Sequence, residues 1–198
     1  NKTNLRQLLH DHMKKNDMFC GCIRCREVQG DCTMVDVAEL VVRKYESSGG
    51  IEYFISIESG NDNTHRLVDG KWYDMARKQV PGIMYGFLRL RLVNNTRNKY
   101  FDELHNAALI RELHVYGQVV SKTTDEELGN HIQSKGFGKL MMKKAEEIAM
   151  NHYYTKIAVI SGIGVREYYR NIGYKDVNTF MMKTISYGEM ILYHIHLN

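Results

Sequence analysis

The sequence predicts a mixed α/β (α+β) fold, and three observations carry that expectation. Ile51, Tyr53, Ile55 and Ile57 alternate with Glu52, Phe54, Ser56 and Glu58, the period of two that marks a strand. Leu140, Met141, Ala145, Ile148 and Ala149 recur at the spacing of one helical face. After a first half in which strands follow one another, the order becomes strand, helix, strand, helix, strand. The 198 residues are 43% hydrophobic and 25% charged with a single proline, enough apolar content to bury a core without disulfide staples. Collagen-like, disordered and disulfide-miniature classes are excluded. No apolar run approaches the ~20 residues that cross a bilayer, so neither a membrane span nor secretion is expected.

Each element has a local reason. Leu5, Leu8, Leu9, His12 and Met13 share one helical stripe, which predicts a helix over 4–16 with Asn4 available as its cap. Val35, Val37, Ala38, Leu40, Val41, Val42 and Tyr45 predict a second helix that stops at Ser47-Ser48-Gly49-Gly50. That stop divides an appended segment, 1–50, from a main domain, 51–184, with 185–198 as a tail. The strand at 51–58 meets turn residues at 60–63, and a polar stretch runs to Pro81-Gly82. A long strand is expected over 83–93, with Arg89 and Arg91 on one face, and another over 107–116. Residues 117–132 read as an irregular loop whose length suits a functional role. A helix follows Gly136-Phe137-Gly138, then a buried strand at 156–161 and a short helix carrying Tyr168 and Tyr169 that ends near Gly173. Strand is expected again through Phe180 and Met182 and into the 187–197 tail.

Gln133-Ser134-Lys135-Gly136-Phe137-Gly138-Lys139, between a strand and a helix, is the most informative stretch. Two glycines at this spacing let backbone N–H groups approach an anion, and the helix that follows offers free amides and a positive dipole end. A diphosphate fits such a cradle. The spacing is not that of a nucleoside-triphosphate loop, and the third glycine of a dinucleotide fingerprint is missing. An ordinary helix-opening turn is the other reading of the same residues.

The company of this turn points further. Together with Gly86-Phe87-Leu88-Arg89-Leu90-Arg91, Arg111-Glu112-Leu113-His114-Val115-Tyr116-Gly117 and the segment from Ala158 to Tyr169, it resembles the GCN5-related acetyltransferase (GNAT) superfamily. Within that superfamily it resembles the acetyltransferase domain of the Elongator catalytic-subunit family, over most of residues 20–183. The resemblance implies a GNAT fold that binds acetyl-CoA. It also implies a part in carboxymethylation of the wobble uridine of tRNA, with Elongator-like partner subunits and a cytoplasmic or nuclear setting. Members of that family carry a radical-SAM domain, which this chain lacks; its first residue is Asn1, which suits a fragment of something longer. Alone, the chain is expected to bind or hydrolyse acetyl-CoA without completing the tRNA reaction. Two other functions stay open, a stand-alone lysine acetyltransferase and a zinc-dependent tRNA-binding module without catalysis.

Strand alternation places Glu112, His114 and Tyr116 on one face and Arg111, Leu113 and Val115 on the other. Glu112 and His114 are candidates for taking and relaying a proton, against the alternative of an ion pair with Arg89 or Arg111. The resemblance implies that Leu113 to Val115 pair with the pantetheine amides. Gln133, Gly136, Phe137, Gly138 and Lys139 are expected to hold the pyrophosphate; Lys139 reads equally as a solvated helix charge. Tyr169 matches the superfamily's general acid, and Tyr168 is expected to pack against core or pantetheine.

Cys20, Cys22 and Cys25 form a C-x-C-x-x-C hook suited to a structural Zn²⁺, with Cys32 or a histidine as fourth ligand; unliganded reduced thiols are the alternative. The net charge of +4 is too small to decide on a polyanion. Arg24, Arg26, Arg43, Lys44, Arg89, Arg91, Arg97 and Lys99 form either a tRNA-facing patch or ordinary solvated faces. Lys143-Lys144 with Glu146-Glu147 reads as helix surface charge.

Overall fold

The computed structural model describes residues 4–29, 33–93, 100–116 and 136–186. Gln133, Cys32, Arg97, Lys99, the loop at 117–132 and the tail beyond 186 therefore lie outside the described residues. A seven-stranded mixed sheet organises the chain in the order β1 (Glu39–Ser47), β2 (Gly50–Ser59), β6 (Ile83–Leu92), β7 (Ala107–Val115), β8 (Lys156–Val159), β10 (Phe180–Thr184), β9 (Lys175–Val177). Every pairing is antiparallel except β7 with β8. A second sheet of β3 (Arg66–Val68), β4 (Lys71–Tyr73) and β5 (Gln79–Val80) stands in what reads as polar connection.

Helix α3 (Phe137–Asn151) covers one face of the large sheet. Its Met141, Met142, Ala145 and Ala149 pack with Ile55, Leu88, Leu90, Ile110 and Ile157 into one core. Leu140, expected on the buried side, is exposed, because the apolar stripe is centred one position further along the helix. Glu146 is not simple surface charge: it accepts hydrogen bonds from the Tyr174 hydroxyl at 2.8 Å and Lys183 Nζ at 2.9 Å, tying the helix to the far end of the sheet. Lys144 and Glu147 do form the expected surface pair, at 2.8 Å.

The second expected helix is absent. A 3-10 turn at Val35–Val37 leads directly into β1, paired along its length with β2 from Glu39↔Glu58 to Ser47↔Gly50. Ser48 and Gly49 both have positive φ, 45° and 71°, as the tight turn of a hairpin requires. Val41, Val42 and Tyr45 favour a pleated strand, and a ready partner in β2 decides the outcome. The hairpin thus straddles the boundary expected at residue 50.

The first helix is α1 (Leu5–Lys15), followed by the single turn α2 (Ile23–Arg26). Asn4 makes no side-chain cap, and Leu5, Leu8 and Leu9 are exposed. Behind α2 the chain joins the sheet: Val28 donates its N–H to the Met84 carbonyl at 3.0 Å, and Glu27 bridges Met84 in parallel. No described helix is long and apolar enough to cross a membrane.

Candidate active site

The face of the sheet away from α3 carries the charged chemistry. In register, β2 sets Phe54 opposite Arg89 and Ser56 opposite Phe87; β6 sets Arg89 opposite Glu112 and Phe87 opposite His114. His114 Nε2 stands 3.1 Å from Glu112 Oε1, and Arg89 Nε 3.5 Å from Glu112 Oε2. His114 and Arg89 therefore meet on one carboxylate. Tyr116 adds its phenol nearby; burial and the carboxylates of Glu27 and Glu112 push it up to about 12.

One expectation about this strand fails for a local reason. The register of β6 and β7 slips between Arg89 and Leu90, leaving Arg111 as the extra residue of a bulge. Arg111 is thereby turned to the same open face as Glu112, where it donates to buried Glu52 at 2.7 Å beside Arg91 at 3.1 Å.

The same open face ends in a buried carboxylate. Glu58 is fully buried; it takes a bidentate pair of hydrogen bonds from Arg43 at 2.6 and 3.0 Å, one from Ser56 at 2.6 Å, one from the Trp72 indole at 3.3 Å, and an ion pair with Arg26. Burial works to raise its pKa, but the Arg43 and Ser56 hydrogen bonds and the Arg26 charge outweigh it and hold the carboxyl below the usual range. Arg26, Arg43, Arg89 and Arg91 of the expected basic patch are thus engaged in ion pairs within the protein.

The other face of β7 leads to the glycine turn. Gly136 adopts φ +70°, a left-handed conformation with open space around it, and starts α3 without a side-chain cap. The Leu140 N–H closes the first helical hydrogen bond, onto Gly136 O at 3.0 Å, so the amides of Phe137, Gly138 and Lys139 precede the helical ladder. Gly138 is required for a different reason. A Cβ there would fall 2.7 Å from the Tyr168 hydroxyl and 3.5 Å from Val115 Cγ2, so helix start, β7 and Tyr168 meet at one point.

Two tyrosines of α4 (Arg166–Arg170) stand beside this meeting point. Tyr169 is only 4% exposed and stacks edge-on with Tyr174 inside the core. The Tyr168 hydroxyl, beside Gly138, is buried without a hydrogen-bond partner among the described residues, and burial with the neighbouring Tyr169 pushes it up to about 12. Neighbouring side chains on an α-helix diverge by about 100°, so only one of the two rings reaches Gly138. Beyond Ile110 no described strand pairs with the outer edge of β7, since β8 leaves it after Val159. Leu113 and Val115 pack partly buried against the core beneath that edge.

This geometry fits an acyl-CoA: among the described residues, uncapped amides, a glycine surface that a Cβ would fill, an unpartnered buried hydroxyl and an unpaired strand edge converge. Comparison with known proteins agrees. No family model matches the chain. The tRNA uridine(34) acetyltransferase of Methanocaldococcus infernus is 37% identical over 191 residues, which cover 93% of this chain and 32% of that protein. The chain is homologous to the C-terminal GNAT region of the Elongator catalytic subunit. Human Elongator complex protein 3 is 36% identical over 187 residues, covering 92% of this chain and 30% of its own length. A solved structure of the archaeal Methanocaldococcus infernus Elp3 with an N-terminal deletion superposes with a TM-score of 0.66 at 35% identity, over 93% of this chain and 40% of that one. The chain spans about a third of the length of these curated Elongator-type relatives and shares their GNAT-like mixed α/β fold.

The cysteine hook forms a second cluster. The Sγ atoms of Cys20, Cys22 and Cys25 lie within 4.8 Å of one another. His10 Nε2, on α1, is 3.2 Å from Cys25 Sγ, and Arg6 approaches the same sulfur at 3.4 Å. Hydrogen bonds from Cys25 and Cys20 pull the Cys22 thiol down to about 7, whereas burial and its sulfur neighbours push Cys25 up to about 11. Three soft donors this close could hold a metal ion; His10 touches one of them, Cys25, and is not within the same 4.8 Å cluster.

Proposed function

We infer that this chain is the acetyl-CoA-binding acetyltransferase module of an Elongator-like enzyme acting on the wobble uridine of tRNA. The observation that carries the reading is the convergence of Gly138, Val115 and the orphaned Tyr168 hydroxyl at the uncapped start of α3. Acetyl-CoA, when bound, supplies an activated acetyl group on a thiol that can leave. The amides of Phe137, Gly138 and Lys139 would hold its diphosphate, helped by the helix dipole and the Lys139 charge, and Gln133 would join them as in the family. Leu113 to Val115 would offer backbone groups of the free β7 edge to the pantetheine amides.

Glu112 and His114 work as one unit in this reading. His114 takes the proton from the attacking group, and Glu112, held by Arg89, stabilises the imidazolium. Tyr168 takes the acid role expected of Tyr169: its hydroxyl stays protonated at neutral pH and lies at the cleft, while the Tyr169 ring serves the core. A structural Zn²⁺ on Cys20, Cys22 and Cys25, with His10 as fourth ligand, would fasten α1 to α2. Elongator-like subunits and a reducing, cytoplasmic setting accord with this reading.

Thiol release from acetyl-CoA, followed with tRNA, a lysine-containing peptide or water as acceptor, tests the reading. Turnover stimulated by tRNA is the expected result; stimulation by peptide alone favours a lysine acetyltransferase. RNA binding without turnover or acetyl-CoA binding favours the non-catalytic module.

A further inference from the structure

Across the open face of the sheet, Phe54, Phe87 and His114 form a stacked column that the acid–base chemistry does not require. Phe54 and Phe87 lie 5.4 Å apart between ring centroids with planes 16° apart; Phe87 and His114 lie 5.2 Å apart at 25°. Both spacings are those of stacked rings. Arg89 Cζ stands 6.0 Å from the Phe87 centroid and adds a cation to the column's flank. Three strands each contribute one ring, and register alone aligns them. The inner ring, Phe87, is 3% exposed, whereas the outermost side chain, His114, is 54% exposed. One face of the imidazole is covered by Phe87. Its other face has no stacked ring among the described residues, and no described strand pairs with β7 beyond Ile110.

We propose that this free face of His114 is the stacking subsite for an unpaired nucleobase of the acceptor RNA, which adds a fourth layer to the Phe54–Phe87–His114 column. The inference deepens the reading given under Proposed function and rests on it. Aromatic and imidazole faces set on a sheet, flanked by guanidinium, are a general solution for holding splayed-out bases of single-stranded RNA. Charge favours RNA over a lysine acceptor: the ion pairs of this face join Arg26, Arg43, Arg89, Arg91 and Arg111 to Glu52, Glu58 and Glu112, a surplus of guanidinium. Beside His114 the one carboxylate, Glu112, is already paired with Arg89, which leaves less attraction for a lysine ammonium. The column fixes the imidazole plane, so a base stacked on it sits beside the group that handles the proton. Stacking and proton transfer then use the same ring, the first through its face and the second through Nδ1, since Nε2 faces Glu112.

Fluorescence anisotropy with two anticodon stem–loop RNAs separates these functions. One RNA carries uridine at the wobble position, the other 5,6-dihydrouridine, which keeps the hydrogen-bonding edge but loses the flat aromatic ring. The intact chain should bind the uridine RNA roughly tenfold more tightly. His114→Phe should keep that preference while losing acetyl-CoA turnover, and His114→Ala should lose both. Equal affinity for the two RNAs, no binding of either, or a preference erased alike by His114→Phe and His114→Ala would overturn the proposal. Acetyl-CoA binding measured on the same proteins distinguishes the failures: intact binding with no uridine preference rejects the stacking subsite alone, whereas absent binding rejects the acetyltransferase reading.

Discussion

Glu58 shows how single residues set the conditions of this fold. Its carboxylate lies under the small β3–β5 sheet and unites Arg26 from the N-terminal segment with Arg43 from β1. Removing one member of such a buried pair leaves the others charged and unpaired, so Glu58→Gln should cost about 3–5 kcal/mol in urea unfolding at neutral pH. Because the folded pKa is depressed, the stability that Glu58 contributes is present above the ordinary glutamate value of 4.5 and is lost as pH falls through the folded value. The variant should therefore show a shallower loss of stability over that acid window; an unchanged slope would mean that the carboxylate is not ionised in the folded protein. Tyr168 makes the matching prediction for chemistry. Tyr168→Phe should retain acetyl-CoA affinity and lower turnover roughly 100-fold, while Tyr169→Phe, which removes a hydroxyl from the core side, should leave turnover near that of the parent. The reverse outcome would return the acid role to Tyr169.

At the scale of elements, much of the site is legible in the sequence because it depends on local pattern. Alternation alone puts Glu112 and His114 on one face, and the Gly136-Phe137-Gly138 turn announces the helix start at Phe137. What sequence hides is pairing. The bulge that brings Arg111 round to Glu52, and the register that stacks Phe54, Phe87 and His114, exist only once three strands are aligned. The segment 39–47 reads as helix because its apolar residues satisfy both periods, and only the Ser48-Gly49 hairpin decides. Asp69 and Gly70, with φ of 46° and 72°, make the same kind of turn between β3 and β4. That Asp-Gly pair is the signal that could have revealed the small sheet. The two glycines of the α3 turn differ in what they protect. Gly136→Ala forces a left-handed alanine and should cost about 1–2 kcal/mol of stability, with the cradle amides still in place. A thermal midpoint unchanged from the parent would show that the turn relaxes freely.

The molecule as a whole joins two devices through the sheet. The cysteine hook is anchored by Val28 and Glu27 on Met84 of β6, and the proposed acyl-CoA seat lies beyond β6, at β7 and the start of α3. Chain purified without chelator should carry about one zinc per molecule, and His10→Ala should lose it to a chelator that leaves the parent loaded; equal retention would remove His10 from the ligand set. The most direct test concerns that seat. Calorimetric titration with acetyl-CoA should give saturable binding to the parent chain and at least a tenfold loss in Gly138→Ala, whose new methyl would crowd the Tyr168 hydroxyl. Binding that Gly138→Ala leaves untouched, or no binding by the parent, would contradict an acyl-CoA seat at the start of α3.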